Sequence, residues 1–267
     1  MKKLVILLFL FSCGSINKAS NTSKVSKATI SNKTSENNKM MNLCKTDPTK
    51  AELILKKKQK TEKKSASFWG LAANCHVQSN NISQALLDLK IGSAINAQES
   101  SLKEARALIF MKNKNYAQAY EILNSISQIA STNALIKLAK LENFFGNHSK
   151  SNEYIKRAIS DVDLKTKNKL LFLAARNDIA NENYVSSIKN FKSMGAQASS
   201  SESQRLYYSY SLAKNGEFLA AEKLIIQRQP ASTDRNLKIH AEITKMIQEH
   251  KAKNIIKKEV PSGSTIN

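Results

Sequence analysis

The sequence predicts an all-α protein, a right-handed α-solenoid of about five helical hairpins with a capping helix at each end. The 267 residues include only seven Gly and three Pro, too few for the many tight turns of a β-sandwich or barrel. Ala, Leu, Lys, Ser, Asn and Ile dominate the composition, which indicates mostly helical structure. Short polar turns followed by apolar segments recur about every 34 residues between residues 66 and 235, and such a period is typical of stacked helical repeats.

Residues 1–12 have the pattern of a lipoprotein signal peptide. Met1-Lys2-Lys3 is basic, and the apolar run from Leu4 to Phe11 is too short to span a bilayer as a helix. The residues Leu10-Phe11-Ser12-Cys13 resemble a bacterial lipobox, although Phe11 replaces the usual small or β-branched residue. This resemblance implies an exported chain that begins at Cys13 and carries lipid there. An ordinary secretory signal with a chance Cys at its end is the alternative.

The segment from 13 to 46 is predicted to form a disordered tether. It consists mainly of Ser, Asn, Thr and Lys, and such a stretch buries too little apolar surface to fold. Residues 14–65 contain 13 Lys and four acidic residues, whereas residues 66–235 contain 21 basic and 14 acidic residues. The formal charge of +21 is therefore concentrated near the N-terminus, where it would lie beside anionic lipid head groups. This distribution argues against nucleic acid as a partner.

Cys44 and Cys75 are the two cysteines that remain after lipidation of Cys13. An even remainder in an exported protein favours a disulfide. Residues 48–63 and 66–78 are predicted to form consecutive helices, and antiparallel packing would place the two cysteines side by side. Two free thiols are the alternative, because the sequence does not fix the distance between the Cα atoms.

The middle of the chain contains five similar segments. Each has a two-residue turn, a usually bulky residue and then a small residue, and a second small residue lies twelve positions earlier. Small side chains let two helices approach closely, and one hairpin buries its apolar face only by stacking on a neighbour. The small residues after the turns are Ala85, Ala119, Ser151, Ser187 and Ala221, spaced by 34, 32, 36 and 34; the earlier ones are Ala73, Ala107, Ala139, Ala175 and Ser209.

This pattern resembles the tetratricopeptide repeat (TPR) over residues 66–235. Trp69 occupies the aromatic position of the first helix, and Tyr116, Tyr184 and Phe218 occupy the aromatic position after the turn. The match is degenerate, because His148 replaces that aromatic in the third repeat and no repeat has its closing Pro in register. An unrelated helical bundle is the alternative. The resemblance implies a binding groove lined by the first helix of each hairpin.

Two further helices are predicted to cap the array. Residues 47–65 would form a short Lys-rich helix, and residues 236–256 would form a helix with one apolar side. Residues 257–267 are polar, contain Pro261 and Gly263, and are predicted to be a disordered tail.

The sequence contains no pattern that predicts catalysis, a cofactor or a metal site. Its four His residues form no HExxH motif, and the chain has no phosphate-binding Gly-rich loop. Asp161 and Asp163 form a DxD, but they fall in a predicted loop, where turn residues are the ordinary explanation. We therefore expect a protein that is not an enzyme.

The predicted site is the groove implied by the TPR resemblance. Its cations alternate with aromatic residues, a combination that suits an extended acidic peptide or a C-terminal carboxylate. A merely solvated face is the alternative. The predicted groove residues are Asn74, Lys112, Lys140, Asn143, Phe144, Phe172, Arg176, Tyr207, Tyr210 and Lys214.

These observations predict a lipid-anchored, periplasm-facing scaffold that binds another envelope protein and assists outer-membrane, pilus or secretion assembly. Gly14, which follows the lipidated Cys13, favours the outer membrane over the inner one. The alternative is a protein that binds anionic envelope polymer or lipid through its basic tether and uses the solenoid as a spacer.

Overall fold

The computed structural model describes residues 39–226 and 233–259, with side chains up to residue 254, and within them all regular structure is helical. The N-terminal helices are α1 (residues 39–46), α2 (Pro48–Glu62), α3 (Ala66–Gln78), α4 (Ile82–Asn96), α5 (Ser100–Lys112) and α6 (Tyr116–Ser125). The remaining helices are α7 (Thr132–Phe144), α8 (His148–Ala158), α9 (Leu164–Ala180), α10 (Tyr184–Ser193), α11 (Glu202–Lys214), α12 (Phe218–Ile226) and α13 (Asp234–Glu259). Short 3-10 helices follow α8 (Ile159–Asp161) and α10 (Gly195–Ser199).

Helices α3 to α12 form five consecutive hairpins, which confirms the predicted α-solenoid. In each hairpin the first helix packs against the second, and the second packs against the first helix of the next hairpin. One pair alone leaves an apolar face exposed, and stacking of the neighbours makes the core continuous.

The turn inside each hairpin has the same backbone geometry. A residue with positive φ ends the first helix: Asn80 (65°), Lys114 (59°), Gly146 (81°), Glu182 (57°) and Gly216 (84°). In the first four hairpins an Asn follows at the N-cap position of the second helix. The side-chain oxygens of Asn81, Asn115 and Asn183 accept a backbone N–H three residues later, whereas Asn147 makes no such bond. Such caps satisfy donors that the helix leaves unpaired.

The ten small residues of the repeat lie where the two helices of each hairpin meet. All ten have a relative exposure of 0%, as their spacing predicts. Where the residue is Ser, its hydroxyl is hydrogen-bonded. Ser151 Oγ donates to the Ala139 carbonyl at 2.7 Å and Ser209 Oγ donates to the Ala221 carbonyl at 2.8 Å, both inside the hairpin, whereas Ser187 Oγ lies 2.8 Å from Ser211 Oγ of the next hairpin. A serine is thus accepted in place of alanine because its one polar group is satisfied.

The N-terminal boundary of the fold differs from the prediction. The sequence predicts a disordered tether as far as residue 46, but residues 39–46 form α1, and Met40 and Cys44 are 7% and 0% exposed. The reason is that Met40, Leu43 and Cys44 share one side of the helix and pack on the core of the first hairpins. Residues 1–38, including the predicted signal peptide and Cys13, lie outside the described residues.

A disulfide joins Cys44 of α1 to Cys75 of α3. Their Cα atoms are 5.1 Å apart and 31 residues separate them in sequence. The bridge fixes α1 to the first hairpin, and it lies in the interior because Cys75 is also only 3% exposed.

The C-terminal capping helix is longer than predicted at both ends. The prediction places it over residues 236–256, with a disordered tail from 257, but α13 runs from Asp234 to Glu259. Ile243 and Ile247, at 0% and 5% exposure, anchor it on α11 and α12. The predicted repeat boundary at residue 235 is therefore wrong, because residues 234 and 235 belong to α13. Residues 227–232 and 260–267 lie outside the described part of the chain.

None of the helices within residues 39–226 and 233–259 combines the length and apolar character needed to cross a bilayer.

Candidate partner-binding groove

The first helices of neighbouring hairpins lie side by side and form the groove face. Side chains connect them directly: Asn74 of α3 donates to the Ser101 carbonyl of α5 at 3.1 Å, and Ser131 at the start of α7 donates to Glu104 of α5 at 2.8 Å. At the C-terminal end, α13 packs beside α11 and continues this row of first helices.

Five residues on α9, α11 and α13 form the centre of the candidate site, which we call the Tyr207 cluster: Phe172, Arg176, Tyr207, Tyr210 and Arg235. The guanidinium carbon of Arg176 lies 6.0 Å from the Phe172 ring centroid and 5.4 Å from that of Tyr207. The guanidinium carbon of Arg235 lies 5.6 Å from the Tyr207 centroid. Phe172 and Tyr207 meet edge to face at 5.9 Å. Cation–π contacts thus hold two arginines around one tyrosine.

A cavity of about 500 Å³ opens beside this cluster. Its walls include Ile179 of α9, Tyr207 and Tyr210 of α11, and Arg235, Lys238 and Ile239 of α13. Asp234 and Glu242 also line it. The cavity therefore combines apolar walls with two cations, Arg235 and Lys238, and two carboxylates, of which Glu242 is already paired with Lys214. Such a lining suits an apolar side chain with a charged group beside it.

The two arginines have no carboxylate partner among the described residues, since neither forms an ion pair there. The Tyr207 hydroxyl is buried and makes no hydrogen bond within the described structure. A buried hydroxyl without a partner is costly. The cluster therefore offers guanidinium donors and an unused phenol group to a ligand.

Lys214 and Tyr210, by contrast, are already engaged. Lys214 Nζ lies 3.0 Å from Glu242 Oε1, and the Tyr210 hydroxyl donates to the same oxygen at 3.2 Å. The hydrogen bond to Glu242 raises the pKa of Lys214, and burial raises the pKa of Tyr210. Lys214 also stacks on the Tyr210 ring at 5.2 Å. The sequence predicts Lys214 as a groove cation, but its charge is neutralised inside the fold.

A second group of cations lies on α7 and its neighbours. Burial of the ammonium group, together with the charges of Lys169 and Lys45, lowers the pKa of Lys140. Burial also lowers the pKa of Lys137, while Glu104 opposes this effect. Lys140 therefore has two other lysines near enough to disfavour its charge, and an anionic partner would offset that repulsion. Lys112 is exposed and donates to Asn80 Oδ1 at 3.0 Å.

Two predicted groove residues have structural roles instead. Asn74 is only 6% exposed and donates to the Gly70 and Ser101 carbonyls, so its assignment to an open groove is wrong. Gly70 causes this burial: a Cβ built there would lie 2.1 Å from Ser101 Oγ, so α3 and α5 are too close to leave room for a ligand. The Asn143 amide bonds to Asn177 and joins α7 to α9.

Phe144 remains available at the edge of the groove face. Its exposure is 66%, and its ring lies 4.9 Å from that of Tyr116. This exposed ring, packed on the half-buried Tyr116, adds an apolar group at this end of α7.

The polar residues outside the groove have structural explanations. His76 bridges Asp88 and Glu52 at 2.6 and 2.9 Å, and Asp163 caps α9 by accepting the Thr166 N–H, which lowers its pKa. His148 contacts Asn143 and Asn177. Across the described ranges no cluster of His, Cys, Asp or Glu has the arrangement of a metal site.

Arg235 and Lys238 were not predicted as site residues, because the sequence pattern placed Arg235 at the end of the last repeat and Lys238 in the capping helix. A signal for them exists: Ile243 lies 34 residues after Ser209, and both are fully buried. The repeat register therefore continues into α13 and places its first turn on the groove face.

Comparisons with known proteins agree with this geometry at the level of the fold. No protein-family model matches the chain, and no curated protein matches it. One chain of the crystal structure of the APC/C hetero-tetramer Cut9–Hcn1 is 17% identical with a TM-score of 0.51, over 79% of this chain and 42% of that chain. The structure of Pseudomonas aeruginosa PilF is 13% identical with a TM-score of 0.51, over 84% of this chain and 99% of that chain.

This chain thus spans less than half of the matching chain of Cut9–Hcn1 but nearly all of PilF. Both solved structures are of TPR-containing proteins. Together with the five hairpins and their buried small residues, these likenesses identify the fold of the chain as a TPR-like α-solenoid.

Proposed function

We propose that this protein is a lipid-anchored scaffold of the cell envelope that binds a segment of another protein in its groove. The Tyr207 cluster carries this proposal. It holds two unpaired arginines, three aromatic rings and an unused hydroxyl beside a cavity of about 500 Å³. Arg, Tyr and Phe are enriched at protein interfaces, and Tyr and Arg are the residue types of most binding hot spots.

The partner is an extended segment with acidic residues. Its carboxylates would pair with Arg176 and Arg235 through bidentate hydrogen bonds, and an adjacent apolar side chain would enter the cavity between Ile179 and Ile239. Lys140, whose charge is repelled by Lys169 and Lys45, would extend the acidic preference along the groove. One of the similar structures, Cut9–Hcn1, is itself a complex of protein chains.

The location follows from the N-terminal sequence. The basic start, the short apolar run and the lipobox-like ending at Cys13 support export and lipid attachment, and Gly14 favours the outer membrane facing the periplasm. A protein held there by its lipid would bring its partner to the envelope, which fits a role in outer-membrane, pilus or secretion assembly. The scaffold has no catalytic function of its own in this proposal.

The test is chemical crosslinking of the full chain in its host, followed by affinity purification and mass spectrometry. Arg176→Glu with Tyr207→Ala should remove the dominant protein partner, because the double change reverses one charge and deletes the ring that positions it. A control with Lys156→Glu and Ile129→Ala makes a similar charge reversal and truncation at two exposed residues away from the groove. Circular dichroism should be the same for both variants.

Loss of the partner in the groove variant alone would support the proposal. Capture that is equal in the wild type and the groove variant would overturn it, because the groove would then contribute nothing to recognition.

The uneven charge of the chain favours a second candidate function. With 13 Lys against four acidic residues in residues 14–65, the N-terminal region would bind anionic polymer or lipid, and the solenoid would act as a spacer. Such binding falls steeply with added salt and survives the groove variant. Recovery of glycan or lipid without any protein would favour this candidate.

A further inference from the structure

Two neighbouring second helices, α10 and α12, carry matching rows of exposed apolar and basic residues on their outer sides. The rows are Val185, Lys189 and Lys192 on α10 and Leu219, Lys223 and Ile226 on α12; we call these six residues the outer patch. Each residue of the first row precedes its counterpart in the second by 34 residues, the period of the array. Within each helix the spacing of four and then three residues keeps the row on one side.

The apolar residues of the outer patch have little contact with the core. Val185, Leu219 and Ile226 are 67%, 76% and 73% exposed. A depression of about 480 Å³ lies between α10 and the turn before α12, with Val185, Ile188 and Lys192 in its wall. Large aliphatic groups that are this exposed on adjacent helices indicate a surface with a partner rather than isolated exceptions.

The charge of the outer patch is positive. Lys189, Lys192 and Lys223 are exposed, and the structure gives them no ion pair among the described residues. On the same side of α12, Glu222 is neutralised by Lys251. Glu217 is the acidic residue at the edge of the depression, and it accepts a hydrogen bond from Asn215. Its single charge leaves the three lysines in excess.

The composition of the outer patch distinguishes a lipid bilayer from a protein as its partner. Protein interfaces are enriched in aromatic residues and Arg and depleted in Lys, and the Tyr207 cluster has that enriched composition. The outer patch contains only Val, Leu, Ile and Lys. Aliphatic groups flanked by long lysines are typical of surfaces that lie at a bilayer interface, where the aliphatic groups enter the head-group layer and the lysines reach the phosphates.

We propose that the outer patch binds the surface of an anionic lipid bilayer. The solenoid would then lie with α10 and α12 along the membrane, while the groove face on its other side stays open to a partner. This contact is separate from lipid attachment at Cys13 and from the basic N-terminal region, because it involves the opposite end of the array. The outer patch binds lipid in this proposal whether or not the groove binds a protein.

The test is hydrogen–deuterium exchange of the full chain with vesicles made of equal parts phosphatidylcholine and phosphatidylglycerol. Amide exchange is measured peptide by peptide, so protection of the outer patch is distinguished from vesicle binding by the N-terminal region. Peptides from Tyr184–Ser193 and Phe218–Ile226 should be protected by these vesicles and not by pure phosphatidylcholine. The triple change Lys189→Glu, Lys192→Glu and Lys223→Glu should remove this protection.

Two further variants separate apolar contact from charge. Val185→Ser with Leu219→Ser and Ile226→Ser should also remove the protection. The matched control is Ile129→Ser with Leu164→Ser, two residues that are 73% and 72% exposed but lie in and after loops between hairpins. This control should keep the protection of both peptides.

Three results would overturn the proposal. The first is the absence of protection in both peptides with anionic vesicles. The second is protection that survives both triple variants, which would assign it to N-terminal binding. The third is a concentration-dependent dimer in light scattering that the serine variant abolishes, which would make a second copy of the chain the occupant of the patch.

Discussion

The guanidinium carbon of Arg176 lies 5.4 Å from the centroid of the Tyr207 ring, although the two residues belong to different hairpins. Arg235 approaches the same ring at 5.6 Å from a third helix. Two positive groups are thus placed against one aromatic side chain, and neither forms an ion pair within the described residues. A bound carboxylate would therefore find two unpaired guanidinium groups beside the same ring.

Replacement of Tyr207 by Phe should separate stability from binding. The buried hydroxyl has no hydrogen-bond partner within the described ranges, so its removal should leave the free energy of unfolding unchanged or raise it by up to about 1 kcal/mol. Partner binding should weaken, because the ligand loses a donor. Urea denaturation and a binding titration measure the two effects. A loss of stability of more than about 1 kcal/mol would mean that the hydroxyl has a partner in the folded protein.

Replacement of Gly70 by Ala should destabilise the first two hairpins. The new Cβ would lie 2.6 Å from Ser101 Cβ and 2.7 Å from the Ser101 carbonyl carbon, so α3 and α5 must separate. We expect a loss of about 1–3 kcal/mol in thermal or urea unfolding, as for other overpacked sites.

Gly146→Ala is the matched control for this clash. No atom lies within 4 Å of the position that the new methyl group would occupy, and the φ of Gly146 is +81°. The free energy of unfolding should therefore fall only by the penalty for a left-handed backbone at a non-Gly residue, about 1–2 kcal/mol. A Gly70 variant as stable as the wild type would show that α3 and α5 can separate without loss of packing energy.

Reduction of the Cys44–Cys75 bridge should release α1. The bridge closes a loop over a sequence separation of 31 residues, and the chain-entropy model assigns about 3–4 kcal/mol to a loop of that length. Dithiothreitol should lower the unfolding temperature and speed amide exchange in residues 39–46. Cys44→Ser should reproduce both effects and make the protein insensitive to the reductant. Amide exchange in residues 39–46 that stays the same after reduction and in Cys44→Ser would contradict this role of the bridge.

The stability of the N-terminal end should fall as pH rises through the titration of His76. Burial lowers the pKa of His76, but its bonds to Asp88 and Glu52 outweigh burial, and the net pKa lies above 6.5. Folding therefore favours the protonated form. Its stabilisation is complete below pH 6.5 and is lost as pH rises through the folded-state pKa. Unfolding curves from about pH 6 to 9 measure this, and His76→Gln should flatten the dependence. An equal slope in the variant would assign the effect to other groups.

The repeat architecture could be predicted because packing constrains it at fixed intervals. Ala85 and Ser151, for example, sit where two helices touch and are fully buried, so only small residues fit there and their spacing is visible in the sequence. The turn residues are equally regular, since a positive φ at Asn80 or Gly146 precedes an N-cap Asn.

The ends of the array and part of the site could not be predicted in the same way. The helix over residues 39–46 has only one apolar side within a polar stretch, and its stability comes from contacts with α3 and the bridge to Cys75. The next helix, α2, does follow the repeat spacing. Ala51 and Leu55 lie 34 residues before Ala85 and Leu89 and are buried like them.

Groove residues depend on how far apart neighbouring helices lie, which repeat position alone does not determine. Asn74 has the position of a groove residue, but Gly70 brings α3 and α5 into contact and buries it. The sequence pattern predicts Lys214 as a groove cation, but it does not fix the placement of the helix that holds its partner Glu242.

Site-specific photocrosslinking in the host tests the central claim most directly. A photoreactive amino acid would replace Ile239, which lines the cavity beside Tyr207, or Val185 on the outer side of α10. Position 239 should capture one protein through a segment rich in Asp and Glu, and Arg176→Glu should abolish this capture. Capture of the same protein at position 185 but not at 239 would contradict this claim, because the partner would then bind the other side of the solenoid.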